Sequence, residues 1–94
     1  LFRSITLIGR VGQDPTVKYI SDATQVSNFS VAYTEKYKDQ SQTTWFNIQA
    51  WNGLSKIVQE HVKKGMQITI VGKITSREAE GKTYWTVTAE RVIV

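Results

Sequence analysis

Residues 44–51 read Thr-Trp-Phe-Asn-Ile-Gln-Ala-Trp. Successive side chains of a strand point to opposite faces, so the run divides into two sets. Phe46, Ile48 and Ala50 read as core. Trp45, Asn47, Gln49 and Trp51 are indoles interleaved with amides, an odd set to bury because each amide would need its hydrogen-bonding groups satisfied. Exposed on a sheet, they offer flat stacking surfaces alternating with polar groups. On a basic domain that combination suits single-stranded nucleic acid, since stacking is worth about 1–3 kcal/mol per base and tolerates any base. Asn47 and Gln49 are then candidates to bond phosphates or base edges.

Tyr37 lies between Lys36 and Lys38. A base stacked on its ring would leave phosphates near two ammonium groups. Arg10, Lys18, Lys73 and Arg77 are the other candidate phosphate contacts. Lys73 and Arg77 share one parity of a strand with Thr69, Val71 and Thr75, opposite to Ile68, Ile70 and Ile74. Phosphates neutralised by such groups release counterions, so affinity should fall steeply with salt.

Other chemistries find no support in the sequence. The single histidine, His61, falls in an apolar helical stripe and reads as a packed residue. Asp14 precedes Pro15 in a turn and reads as a local hydrogen-bonding group. The carboxylates are scattered, with no pair spaced for acid–base work or metal binding. Phosphate loop, Ser/His/Asp set and dinucleotide fingerprint are all missing. The reading is a binding protein with no cofactor and no metal, not an enzyme.

The elements that must position these groups fit one domain, 1–94. Ninety-four residues suffice for one core; 40% hydrophobic and 21% charged residues are ordinary for a globular fold. A net charge of +4 mildly favours an anionic partner. There is no cysteine, so no disulfide framework and no Cys-based metal site. No apolar run approaches the roughly 20 residues needed to span a bilayer, so no membrane role is expected.

Strand signals dominate. Residues 5–11 are apolar and β-branched and end at the breaker cluster Gly12-Gln13-Asp14-Pro15; a short strand resumes over 16–20. A turn at 21–24 leads to an alternating strand over 25–37, then a polar loop over 38–43 and the Trp strand. Leu54, Ile57, Val58, His61 and Val62 have helical spacing and predict one amphipathic helix over 52–64, with Asn52 as N-cap, Lys63 and Lys64 at the negative end of its dipole, and Gly65 at C′. Strands over 66–77 and 83–94 follow, joined by a tight turn at Glu80-Gly81. Strand, strand, strand, helix, strand, strand, with the first strand broken near Gly12, is the order of an OB-fold: all-β with one helix, a five-stranded Greek-key barrel with the helix between strands three and four. Gly9 and Gly72 suit the bending that closure requires. The first strand is apolar on both parities, Ile5 and Leu7 against Ile8, which calls for a partner layer such as a second subunit.

Four stretches, in order, resemble the single-stranded DNA-binding proteins of bacteria and mitochondria: Gly9–Pro15, Phe29–Thr34, Thr44–Ile48 running to Trp51, and Val62–Gly65 followed by Ile68–Ile74. The resemblance covers nearly the whole chain. It implies an OB-fold assembled as a homotetramer, or a dimer, that binds single-stranded DNA without sequence preference and protects it in replication, repair and recombination alongside replication proteins such as a helicase or polymerase. It implies base stacking on Tyr37, Trp45 and Trp51. The family's further aromatic in the last hairpin has no direct match; Trp85, with Tyr84 beside it, is the candidate substitute. Phe46 stands where the family often carries a histidine that touches a neighbouring subunit, and the family's dimers form through the region of Ile5, Leu7 and Ile8. The chain stops at the end of a strand, without the flexible linker and acidic tip of bacterial members. That leans toward the mitochondrial type, in the matrix and nucleoid, with the bacterial cytoplasm as the alternative. The runner-up function is an OB-fold protein-interaction subunit of a replication or repair complex. Stacking alone does not separate DNA from RNA.

Overall fold

The computed structural model describes residues 4–94. Alternating apolar residues build six strands, β1 (Ser4–Val11), β2 (Thr16–Ser21), β3 (Thr24–Tyr37), β4 (Gln40–Trp51), β5 (Gln67–Ala79) and β6 (Lys82–Ile93), with one helix, α1 (Gly53–His61), between β4 and β5. The sheet runs β1-β5-β6-β4-β3-β2, and β1 also pairs with β3. That extra pairing closes a barrel. β1 meets β3 at Arg10–Ala32 and Val11–Val31, and β2 continues along β3 from Thr16–Asn28. β1 and β2 are therefore the two halves of the broken first strand, and the barrel has five strands as expected. Its core is Leu7, Val11, Phe29, Val31, Ile48, Ile68, Ile70 and Val87, with Val58 and Val62 closing one end.

Gly9 and Gly72 serve close approach. A Cβ at Gly9 would collide with the Ala32 carbonyl oxygen, and one at Gly72 with that of Thr88, beside a register shift between β5 and β6. The tight turn at Glu80-Gly81 is present, with φ of 53° and 76°, the left-handed pair of a type I′ hairpin.

Residues 40–43, expected as loop, are strand instead. β3 and β4 pair without interruption from Val26–Trp51 to Tyr37–Gln40, around a turn at Lys38-Asp39. The stretch looks like loop because the hairpin leaves the barrel here, and polar, threonine-rich residues are wetted on both faces.

The helix differs from expectation in its face. Ser55, Val58 and Val62 are buried, whereas Ile57 and His61 are exposed. At 100° per residue the buried stripe centres between Val58 and Ser55, leaving His61 about a quarter-turn away. His61 lies in solvent 3.6 Å from Glu60. Nine residues cannot hold a helix by propensity; burial of Val58 and Val62, worth about 1.5–3 kcal/mol each, does so. Asn52 occupies the N-cap position at φ 50° but makes no side-chain cap bond. Its backbone N–H donates to the Gln25 carbonyl (2.9 Å), and its Oδ1 accepts from the Gln25 N–H (3.2 Å). Gly65, at φ 89°, lies beyond the extended Val62 in a turn closed by Met66 N–H to Lys63 O, so it does not cap the helix. Asp14 bonds far from its own turn: its Oδ1 accepts from the Lys64 N–H at 2.9 Å.

Candidate nucleic-acid interface

Directly opposed residues in neighbouring strands share a face, and the register lays out the outer surface row by row. On β4, Trp45, Asn47, Gln49 and Trp51 point outward, while Ile48 and Ala50 are fully buried and Phe46 is half-buried. Opposite them on β3 stand Ala32, Ser30, Asn28 and Val26. On the other side Asn47 and Gln49 meet Thr86 and Thr88 of β6, which in turn face Thr75 and Lys73 of β5. Lys18 joins through Val26, and Arg10 through Ala32. The expected aromatic–amide row is thus one exposed stripe, with Trp45 55% and Trp51 39% accessible, and Lys18, Lys73 and Arg77 lie on the same face.

Among the described residues no carboxylate pairs with these cations, and the only ion-pair contact is His61 with Glu60. Arg77 places its guanidinium 5.6 Å from the centre of the Tyr84 ring. Arg10 spends one N–H on the Gly65 carbonyl at 3.1 Å. A guanidinium carries five donors, so that contact fixes Arg10 without exhausting it.

Not every expected residue joins the stripe. Tyr37 lies on the β3 parity of Tyr33 and Glu35, opposite to that of Ala32, out on the hairpin beyond the barrel. It is 75% exposed, with the Lys38 ammonium 5.5 Å from its ring centre. Lys36 keeps the outer parity. Trp85 pairs with Phe46 and Ser76, on the parity of the buried Val87, yet it stays 38% exposed and lines the same concavity as Trp45. Tyr84, opposite Arg77, stands beside it on the outer face. The signal was present in the sequence, because Val87 and Ala89 as core make Tyr84, Thr86 and Thr88 outward by alternation.

Trp45, Tyr84 and Trp85, with Ser30, Thr44 and Asn47, border a concavity of about 410 Å³ between the two hairpins. A second, of about 530 Å³, continues past Asn47 and Tyr84 to Gln49, Thr75, Arg77 and Thr88. Together they make a trough with aromatic walls, a floor of hydroxyls and amides, and Arg77 at the far side. Among the described residues no group of acidic, histidine or cysteine side chains is close enough to hold a metal ion.

The residues expected at a subunit interface divide. Leu7 is 4% exposed and belongs to the chain's own core, because its parity faces Ile70 inside the barrel. Ile5, Ile8 and Phe46 line an open apolar hollow of about 310 Å³ together with Tyr33, and Leu7 contributes to its floor. The Tyr33 phenol is held above the usual tyrosine range by its hydrogen bond to Glu35 and by that carboxylate's charge.

Comparison with known proteins gives the same fold. The chain is similar to a Plasmodium falciparum single-strand binding protein solved in complex with single-stranded DNA (TM-score 0.86, 23% identity, 99% of this chain and 94% of that one). It is also similar to the corresponding domain of a Synechococcus protein (TM-score 0.78, 16% identity, 98% and 94%). These likenesses show the OB-fold. In sequence it is 39% identical over 83 residues to a single-stranded DNA-binding protein of Neisseria meningitidis, covering 83% of this chain and 48% of that one. It is 37% identical over 89 residues to single-stranded DNA-binding protein 1 of Xylella fastidiosa, covering 85% and 65%. The chain therefore spans about half to two-thirds of the length of these relatives. The model of the single-strand binding protein family matches residues 2–94, and the chain belongs to that family.

Proposed function

We propose that the chain binds single-stranded DNA independently of sequence, stacking bases on Trp45 and Trp51 and neutralising phosphates with Lys18, Lys73 and Arg77, and so protects exposed strands during replication, repair and recombination. The observation that carries this reading is the outward aromatic–amide row of β4, flanked on one face by cations that have no carboxylate partner among the described residues. Tyr84 adds a third ring beside Arg77. Tyr37, with Lys36 and Lys38, extends the path onto the β3–β4 hairpin. The activity is binding without catalysis. A mobility-shift comparison of mixed-sequence single strands with duplexes of the same sequence tests it: single strands should shift irrespective of sequence and duplexes should not. Absence of any shift at micromolar protein and low salt would refute it.

The proposed assembly is a homotetramer, or a dimer, a reading supported by the family and by the open apolar hollow of Ile5, Ile8 and Phe46. Several copies would let one strand visit several stacking surfaces, raising avidity through effective concentration. Replication proteins are the partners such a role implies. The relatives from Neisseria and Xylella are bacterial, which favours the bacterial cytoplasm over the mitochondrial matrix.

A further inference from the structure

Trp45 is only half exposed although it stands on the outer face, because part of its indole is laid down on another segment of the chain. That segment is Gly12. A Cβ built there would collide with the Trp45 Cζ3 atom, reach 2.8 Å from Cη2, and lie 3.2 Å from the Ser30 Oγ. The benzo edge of the indole thus rests on the bare α-carbon of Gly12. The backbone beneath cannot yield. Gly12 N–H donates to Ser30 O (2.8 Å), Val11 N–H to Met66 O (2.9 Å) and Gly65 N–H to Val11 O (2.7 Å). Arg10 holds the Gly65 carbonyl and Asp14 holds the Lys64 N–H, so the breaker segment is tied to the 63–66 turn on both sides of Gly12.

We propose that Gly12 is a positioning residue for single-strand binding: the absence of a side chain there sets the tilt of the Trp45 ring, and any side chain would lever the indole out of its stacking orientation while leaving the barrel intact. The inference rests on the reading of Trp45 as a stacking residue. The fold is spared because the atoms that must move are the far end of one surface side chain, whereas at Gly9 and Gly72 the colliding atoms are backbone carbonyls.

The test is a set of variants measured for oligothymidine affinity, thermal midpoint and tryptophan emission. Gly12→Ala should keep the wild-type circular dichroism and midpoint, shift the emission, and weaken binding at least about threefold, a part of the roughly fivefold or greater loss expected when the whole stack is removed in Trp45→Ala. In Trp45→Phe, whose ring lacks the benzo edge that touches Gly12, adding Gly12→Ala should cost no further affinity. This second comparison holds even if Gly12→Ala alone lowers the midpoint. Wild-type affinity in Gly12→Ala, or an equal loss with Trp45 and with Phe at position 45, would overturn the inference while leaving the binding reading in place. Wild-type affinity in Trp45→Ala would overturn both.

Discussion

Replacing Lys73 with alanine should flatten the salt dependence of single-strand binding by a calculable amount. Lys73 is exposed on β5, opposite Thr88, which is opposite Gln49, so it borders the trough without entering it. For single strands the slope of log affinity against log salt is about −0.7 per neutralised phosphate. Lys18, Lys73 and Arg77, each on one phosphate, contribute about −2 to the slope for each chain, and Lys73→Ala should make the slope shallower by about 0.7. Between 50 and 200 mM salt the difference amounts to about 2.6-fold, so the variant's deficit should shrink by that factor over the range. The assay is fluorescence anisotropy of a labelled oligothymidine at four or more salt concentrations. Lys56→Ala is the control: Lys56 is also exposed but lies on α1, away from the stripe. An unchanged slope in Lys73→Ala, or an equal change in Lys56→Ala, would refute the placement of phosphates along this face.

Three other outcomes are expected. Gly72→Ala should destabilise the barrel by about 1–3 kcal/mol in urea unfolding, since a Cβ there meets the Thr88 carbonyl oxygen in a packed ladder. The buried Ser27 and Ser55 hydroxyls share a 2.6 Å hydrogen bond where α1 meets β3. Alanine at either should cost about 1–3 kcal/mol by leaving a partner short, and the double variant should cost less than the sum. In nuclear magnetic resonance of labelled tyrosine, the Tyr33 phenol should titrate above the ordinary value near 10, and Glu35→Gln should bring it down by removing the adjacent charge.

Much of the fold was legible because the barrel follows one simple period. Phe29, Val31, Ile48, Ile68, Ile70 and Val87 all sit on the inward parity that alternation assigns them. The stripe of Trp45, Asn47, Gln49 and Trp51 was legible for the same reason: Ile48 and Ala50 fix which side is core. What failed was whatever depended on pairing across the chain. The wetted hairpin at 40–43 carries no apolar signal, so only its ladder with β3 reveals it. The helix face was misplaced because Ser55 is buried through a partner, Ser27, that no local pattern announces. Asn52 and Asp14 spend their side chains on Gln25 and Lys64, far along the sequence. Trp85 and Tyr84 both border the concavity beside Trp45, but only Tyr84 has the outward parity, which follows from Val87 and Ala89 being core. Leu7 reads as interface because β1 is apolar on both parities; its own parity turns out to be the core one, while Ile8, one residue on, is exposed.

The central claim is that Trp45 and Trp51 stack on nucleic-acid bases. It is tested most directly by titrating the intrinsic tryptophan fluorescence with a long oligothymidine at low and high salt, in the wild type and in Trp45→Ala and Trp51→Ala. Strong quenching that weakens with salt is predicted, with each substitution lowering the quench and the affinity together. Unchanged fluorescence and mobility at micromolar protein and low salt would contradict the account and leave the two indoles to a protein interface.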